Sequence, residues 1–100
     1  MENELINIEN KNGVMVVSSR EVANNFEKEH SKVIRSIENL IQNDSSQNWL
    51  QYFILNNYKD SSGKSNKEYL LTRDGFSLLV MGFNGEKALH FKIKYIEAFN

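Results

Sequence analysis

A small α+β domain is the fold class this sequence predicts, and three observations predict it. Two pairs of β-rich runs are each separated by turn-forming residues, a paired helical segment lies between them, and a long amphipathic helix closes the chain. One hundred residues suffice for a single domain spanning 1–100 with a modest hydrophobic core.

Leu5–Glu9 and Val14–Ser18 are the first strand pair. Asn10-Lys11-Asn12-Gly13 lies between them, and Asn-Gly supplies the left-handed residues a hairpin turn requires. The second of these strands leads straight into Ser19–Ile41, which reads as two short helices joined by a tight turn. Ser18 or Ser19 suits the first N-cap, and Val22, Ala23 and Phe26 recur at helical spacing. The apolar pattern lapses over Glu27-Lys28-Glu29, where many such turns carry glycine. It resumes on a second helix, Ser31–Gln42, in which Ser31 is the expected cap and Val33, Ile34, Ile37, Leu40 and Ile41 form the buried stripe.

A turn of about 100° per residue places Lys32, Arg35, Ser36 and Asn39 on the side away from that stripe. Lysine and arginine neutralise phosphate or pair with guanine, asparagine pairs with adenine, and serine contacts either, so these residue types suit a helix in the major groove. They equally suit a solvated face, and periodicity alone leaves both readings open.

Gln42–Asn48 is polar and aperiodic, hence a loop. Trp49, Leu50, Tyr52 and Phe53 form an aromatic cluster expected to pack in the core. Phe53–Lys59 and Lys67–Thr72 flank the turn-rich Asp60–Asn66, giving a second hairpin with Lys59, Lys64 and Lys67 gathered near its tip. Beside a helical pair, a basic hairpin would act as a wing touching phosphate, and the whole is then winged-helix-like; an exposed, lysine-solubilised loop is the simpler reading of the same residues. Gly63-Lys64-Ser65 resembles the end of a phosphate-binding loop, but Tyr58 stands where the first glycine belongs and no helix signal follows.

Thr72–Gly82 reads as a short buried helix capped by Thr72 with Asp74 in its first turn. From Asn84-Gly85-Glu86 onward, Ala88, Leu89, Phe91, Ile93, Tyr95, Ile96 and Phe99 cover more than one helix face. That excess of apolar surface predicts a homodimer through the C-terminal helix or another protein partner. The pattern reaches Asn100 with no stop signal, as in a helix that continues or a chain truncated there.

With no cysteine, disulfides and thiolate metal sites are excluded, and only His30 and His90 supply imidazole. No metal, cofactor or arranged nucleophile is expected, and hence no enzyme. His30, at the start of the second helix, is expected to cap or pack the turn rather than meet phosphate, and His90 to lie on a helix surface. Met1–Glu4 is acidic where a secretory signal is basic, and no apolar run approaches the twenty residues of a membrane span, so a cytoplasmic protein is expected. The net charge of −1 departs from the positive excess usual in DNA-binding domains, so a lone domain should bind weakly.

Several ordered motifs carry a resemblance. They are Ser18-Ser19-Arg20-Glu21-Val22-Ala23, Phe26, Lys28, His30, Val33-Ile34-Arg35, Ile37, Tyr69–Phe76, Met81-Gly82-Phe83, Lys87-Ala88-Leu89, Phe91-Lys92 and Tyr95–Asn100. In these the chain resembles the phage regulatory protein Rha family from Val16 onward. The resemblance implies a phage- or prophage-encoded regulator in the bacterial host cell, akin to antirepressors, acting on double-stranded DNA or countering a phage repressor. Carried over residue by residue, it marks Arg20, Lys28, His30 and Arg35; with Lys32, Ser36, Asn39, Lys64 and Lys67 from the helix face and hairpin, these are the expected DNA-contacting residues.

Overall fold

The computed structural model describes residues 6–100, so the acidic opening Met1–Glu4 and the first expected strand residue, Leu5, lie outside the described residues. The α+β class holds: four helices pack with a four-stranded sheet of order β1-β2-β4-β3, antiparallel throughout. Its strands are β1 (Glu9–Lys11), β2 (Val14–Ser18), β3 (Phe53–Lys59) and β4 (Ser65–Leu71).

The first hairpin turns on Asn12-Gly13 alone, with φ of 54° and 89°. Such a two-residue turn makes its flanking residues direct partners, so Lys11 pairs with Val14 and β1 lies nearer the turn than the apolar run implied.

Helix α1 (Ser19–Asn25) follows β2 without a linker, and Ser18 is its cap, accepting from the Glu21 N–H at 3.1 Å. It ends in a Schellman arrangement: Lys28 N–H donates to Ala23 O at 2.9 Å and Glu27 N–H to Asn24 O at 3.3 Å. Glu27 takes the left-handed conformation, φ 56°, that glycine usually supplies at this position. Helix α2 (His30–Asn43) therefore begins one residue before the expected Ser31, with extended Glu29 at the cap position and no side-chain cap. It also outlasts the expected Gln42 by one residue, and the Asp44 carboxylate then closes the turn by accepting from Ser46 N–H and Oγ.

Phe26 joins the helical pair to the rest of the core. Its ring meets Phe76, Phe83, Phe91 and Tyr95 at centroid distances of 5.2–6.0 Å. These rings come from helices α3 (Arg73–Val80) and α4 (Glu86–Phe99) and the segment between them. Phe53 is buried with Trp49 stacked on it, and Tyr52 is half-buried, whereas Leu50 points to solvent from a single 3₁₀ turn, Trp49–Gln51.

Thr72 caps α3 through the Gly75 N–H and donates its hydroxyl to Gln51 O at 2.8 Å, drawing α3 against the 3₁₀ turn. The approach is close enough that a Cβ on Gly75 would stand 2.0 Å from the Tyr52 carbonyl oxygen. Helix propensity favours Gly75→Ala by about 1 kcal/mol. The backbone clash opposes it at about 1–3 kcal/mol or more. Net destabilisation in a urea titration is the expected outcome.

Candidate nucleic-acid interface

Helix α2 is sided as its sequence requires. Val33 and Ile37 are buried, Ile34, Leu40 and Ile41 are half-buried, and Lys32, Arg35, Ser36 and Asn39 are exposed together. Among the described residues none of these four side chains makes a hydrogen bond or ion pair, so their donors and charges are unspent.

The β3-β4 hairpin leans on α2 through Glu38. Its Oε2 accepts from Lys67 Nζ at 2.7 Å and from the Tyr69 hydroxyl at 3.0 Å. The lysine contact, reinforced by the tyrosine, holds the Glu38 carboxyl below its ordinary value, while burial and the adjacent carboxylate push the Tyr69 phenol up to about 12. This corrects the expected lysine cluster. The tip is Asp60–Lys64, β4 begins at Ser65, and Lys67 lies opposite Asn57 within the ladder, where it meets α2. Asp60 organises the tip, and its bonds from Ser62, Asn66 and Lys64 hold its carboxyl down at about 2. Gly63-Lys64-Ser65 thus runs into a strand, not the helix a phosphate loop requires.

A second polar assembly lies where α1 and α2 begin. Ser19 is fully buried, and its Oγ accepts from the Tyr69 N–H at 3.0 Å and lies 2.8 Å from His30 Nε2. The hydroxyl can serve both neighbours at once, because serine has one proton to give and two lone pairs to accept with. Burial, followed by the Arg20 charge, lowers the His30 pKa against the opposing pull of Glu68. Arg20 Nε donates to Glu68 Oε1 at 3.0 Å, Asn56 donates to the other carboxylate oxygen at 2.8 Å, and the Arg20 guanidinium carbon sits 3.8 Å above the Tyr58 ring.

The nine expected contact residues therefore divide. Lys32, Arg35, Ser36 and Asn39 share one open face, and Lys64 sits in the hairpin tip. Arg20, His30 and Lys67 are engaged within the fold, and the Lys28 ammonium lies 4.6 Å over the Phe83 ring. Sequence reasoning did not find Glu38, Tyr58 and Glu68, whose importance comes from long-range pairing that leaves no local pattern.

Elsewhere, α4 buries Ala88, Phe91 and Tyr95 and leaves Leu89, Ile93 and Ile96 exposed at 58%, 48% and 58%. An apolar groove lined by Phe76, Val80, Met81, Lys92 and Ile96 runs between α3 and α4. Among the described residues no cluster of His, Asp and Glu could hold a metal ion, and no helix is long and apolar enough to cross a membrane.

The family model for phage regulatory protein Rha matches residues 17–100. The chain belongs to the phage regulatory protein Rha family. Similar proteins include an uncharacterized protein of Haemophilus influenzae, 39% identical over 86% of this chain and 50% of the relative. Bacillus subtilis has a relative named "SPbeta prophage-derived putative antirepressor protein YoqD", 34% identical over 99% of this chain and 40% of that protein. An uncharacterized 22.8 kDa protein from the gp15-gp3 intergenic region of Salmonella phage P22 is 33% identical over 88% of this chain and 44% of its own length. The chain thus spans half or less of these Rha-like relatives. No solved structure matches it.

His30 gives this Rha-family domain a pH dependence of definite sign. With the folded pKa lowered, the unfolded chain binds the proton first, so stability is complete above about pH 6.5 and is lost as pH falls through the window below it. Melting temperatures from pH 7 to 5 should decline in the parent and decline less in His30→Gln, whose amide does not titrate and can donate to or accept from Ser19.

Proposed function

We propose that this Rha-family chain is a DNA-binding transcriptional regulator of phage or prophage genes in the bacterial cytoplasm, with α2 entering the major groove. The observation that carries this reading is the open face of Lys32, Arg35, Ser36 and Asn39, whose donors have no partner within the described residues. The hairpin braced on Glu38 stands beside α2 as a wing, and Lys64 at its tip is available to phosphate. With a net charge of −1, the chain draws little affinity from bulk electrostatics, so two copies joined through α4 are proposed to share one operator.

Selection of fragments from phage DNA by the purified chain tests the reading. Arg35→Ala should weaken binding to a selected site by about 1–3 kcal/mol at one base position. Lys32→Ala should weaken binding to all sequences alike and flatten its salt dependence by about one phosphate contact. Sequence-blind, undiminished binding by Arg35→Ala would remove α2 from the role.

A second reading is favoured by the exposed apolar face of α4 and by the antirepressor in the name of the Bacillus relative. Here α4 binds a phage repressor and the chain acts without touching DNA. Ile93→Glu discriminates: loss of repressor in a pulldown, from a parent that retains no operator DNA in a gel shift, is the outcome of this reading. Operator binding by the parent alone counts against it.

A further inference from the structure

Arg20 is ordered on two sides and open on the third. Its Nε is bonded to Glu68, a carboxylate only 4% exposed whose second oxygen is held by Asn56, and its guanidinium plane lies over Tyr58 at 3.8 Å. Neither Nη nitrogen has a hydrogen-bond partner among the described residues, and the side chain is 48% exposed. His30, the first residue of α2, meets the same Tyr58 ring edge-on at 6.4 Å, so Arg20 lies close to the N-terminal turn of α2. In helices that read the major groove, the N-terminal turn is where base edges are met.

We infer that Arg20 reads a guanine, its two Nη donors meeting O6 and N7, with Glu68 and Tyr58 as the positioning residues that hold the fork. The inference rests on the α2 reading above and deepens it. The choice of guanine over backbone phosphate follows from charge. Glu68 cancels the Arg20 charge at short range, so the residue adds little to the attraction for phosphate that a free lysine supplies. What survives the cancellation is direction, a planar fork whose rotamers are already fixed, and that is what bidentate pairing to a purine edge uses.

The test is selection from a random-sequence duplex pool by the parent chain, Arg20→Lys, Tyr58→Leu and Arg35→Ala, with melting curves to check folding. Lysine keeps the charge opposite Glu68 but loses the fork, and Tyr58→Leu keeps the ion pair but loses the stack. The expected result is a guanine in the parent's selected sequence whose preference falls roughly tenfold with Arg20→Lys. A smaller fall is expected with Tyr58→Leu, and the salt dependence of overall binding should not change. An Arg20→Lys chain that selects the parent's sequence undiminished overturns the inference. If Arg35→Ala still loses its own base preference, the α2 reading stands without Arg20. A parent chain that enriches no sequence overturns both.

Discussion

The buried hydroxyl of Ser19 is the constraint on which the geometry of the helical pair depends. The β2-β4 ladder ends at the pair Ser18 and Leu70, and the next β4 amide, that of Tyr69, would be left without a partner as the chain turns into α1. A buried, unpaired amide costs about 1–3 kcal/mol, and the Ser19 oxygen removes that cost. By also hydrogen-bonding His30, the same hydroxyl fixes the first residue of α2 to the first residue of α1. One side chain thereby joins sheet, first helix and second helix, and the open face of α2 inherits its direction from that junction. Phe26 completes the placement from the other end of α1 by filling the ring of aromatics supplied by α3, α4 and the segment between them.

Charge is distributed so that an almost neutral chain keeps a cationic face. Two of the acids near α2 are occupied, Glu38 by Lys67 and Tyr69, and Glu68 by Arg20 and Asn56, whereas Glu29 at the start of α2 is exposed. The cations that neutralise them contribute nothing further to long-range attraction. Lys32 and Arg35 are left without intramolecular acids, and local placement, not the total, decides what the surface presents. The exposed pairs, such as Lys87 with Glu27, contribute little to stability in water and do not alter this balance.

Much of the fold was legible because local rules and tertiary packing agree. Asn12-Gly13 can only turn, Val33 and Ile37 are spaced for burial, and Thr72 with Asp74 marks a helix start. The failures occur where distant residues decide. Ser31 looks like a cap, yet the Schellman turn at Glu27 sets the start of α2 at His30, and a left-handed glutamate gives no sequence signal. Lys67 reads as part of a basic tip until the register places it opposite Asn57 and against Glu38. Arg20 is marked in the sequence only by the family resemblance, and nothing near it indicates that Glu68 and Tyr58 will hold it.

The strain accepted at Glu27 bears on how the exposed faces of α2 and α4 relate. Holding a non-glycine residue left-handed costs about 1 kcal/mol, and a glycine there would have relieved it. Glutamate at this position carries a carboxylate that reaches Lys87 in the first turn of α4, across the cleft lined by Asn24, Asn25, His90 and Phe91. The Tyr95 hydroxyl spans the same two helices by donating to Asn25 Oδ1 at 2.6 Å. The turn that aims α2 is therefore also a point of attachment for α4, the helix with the unpartnered apolar face. A partner seated on Leu89, Ile93 and Ile96 would be tied through these contacts to the helical pair, so in the proposed dimer pairing there would set the spacing of two α2 faces.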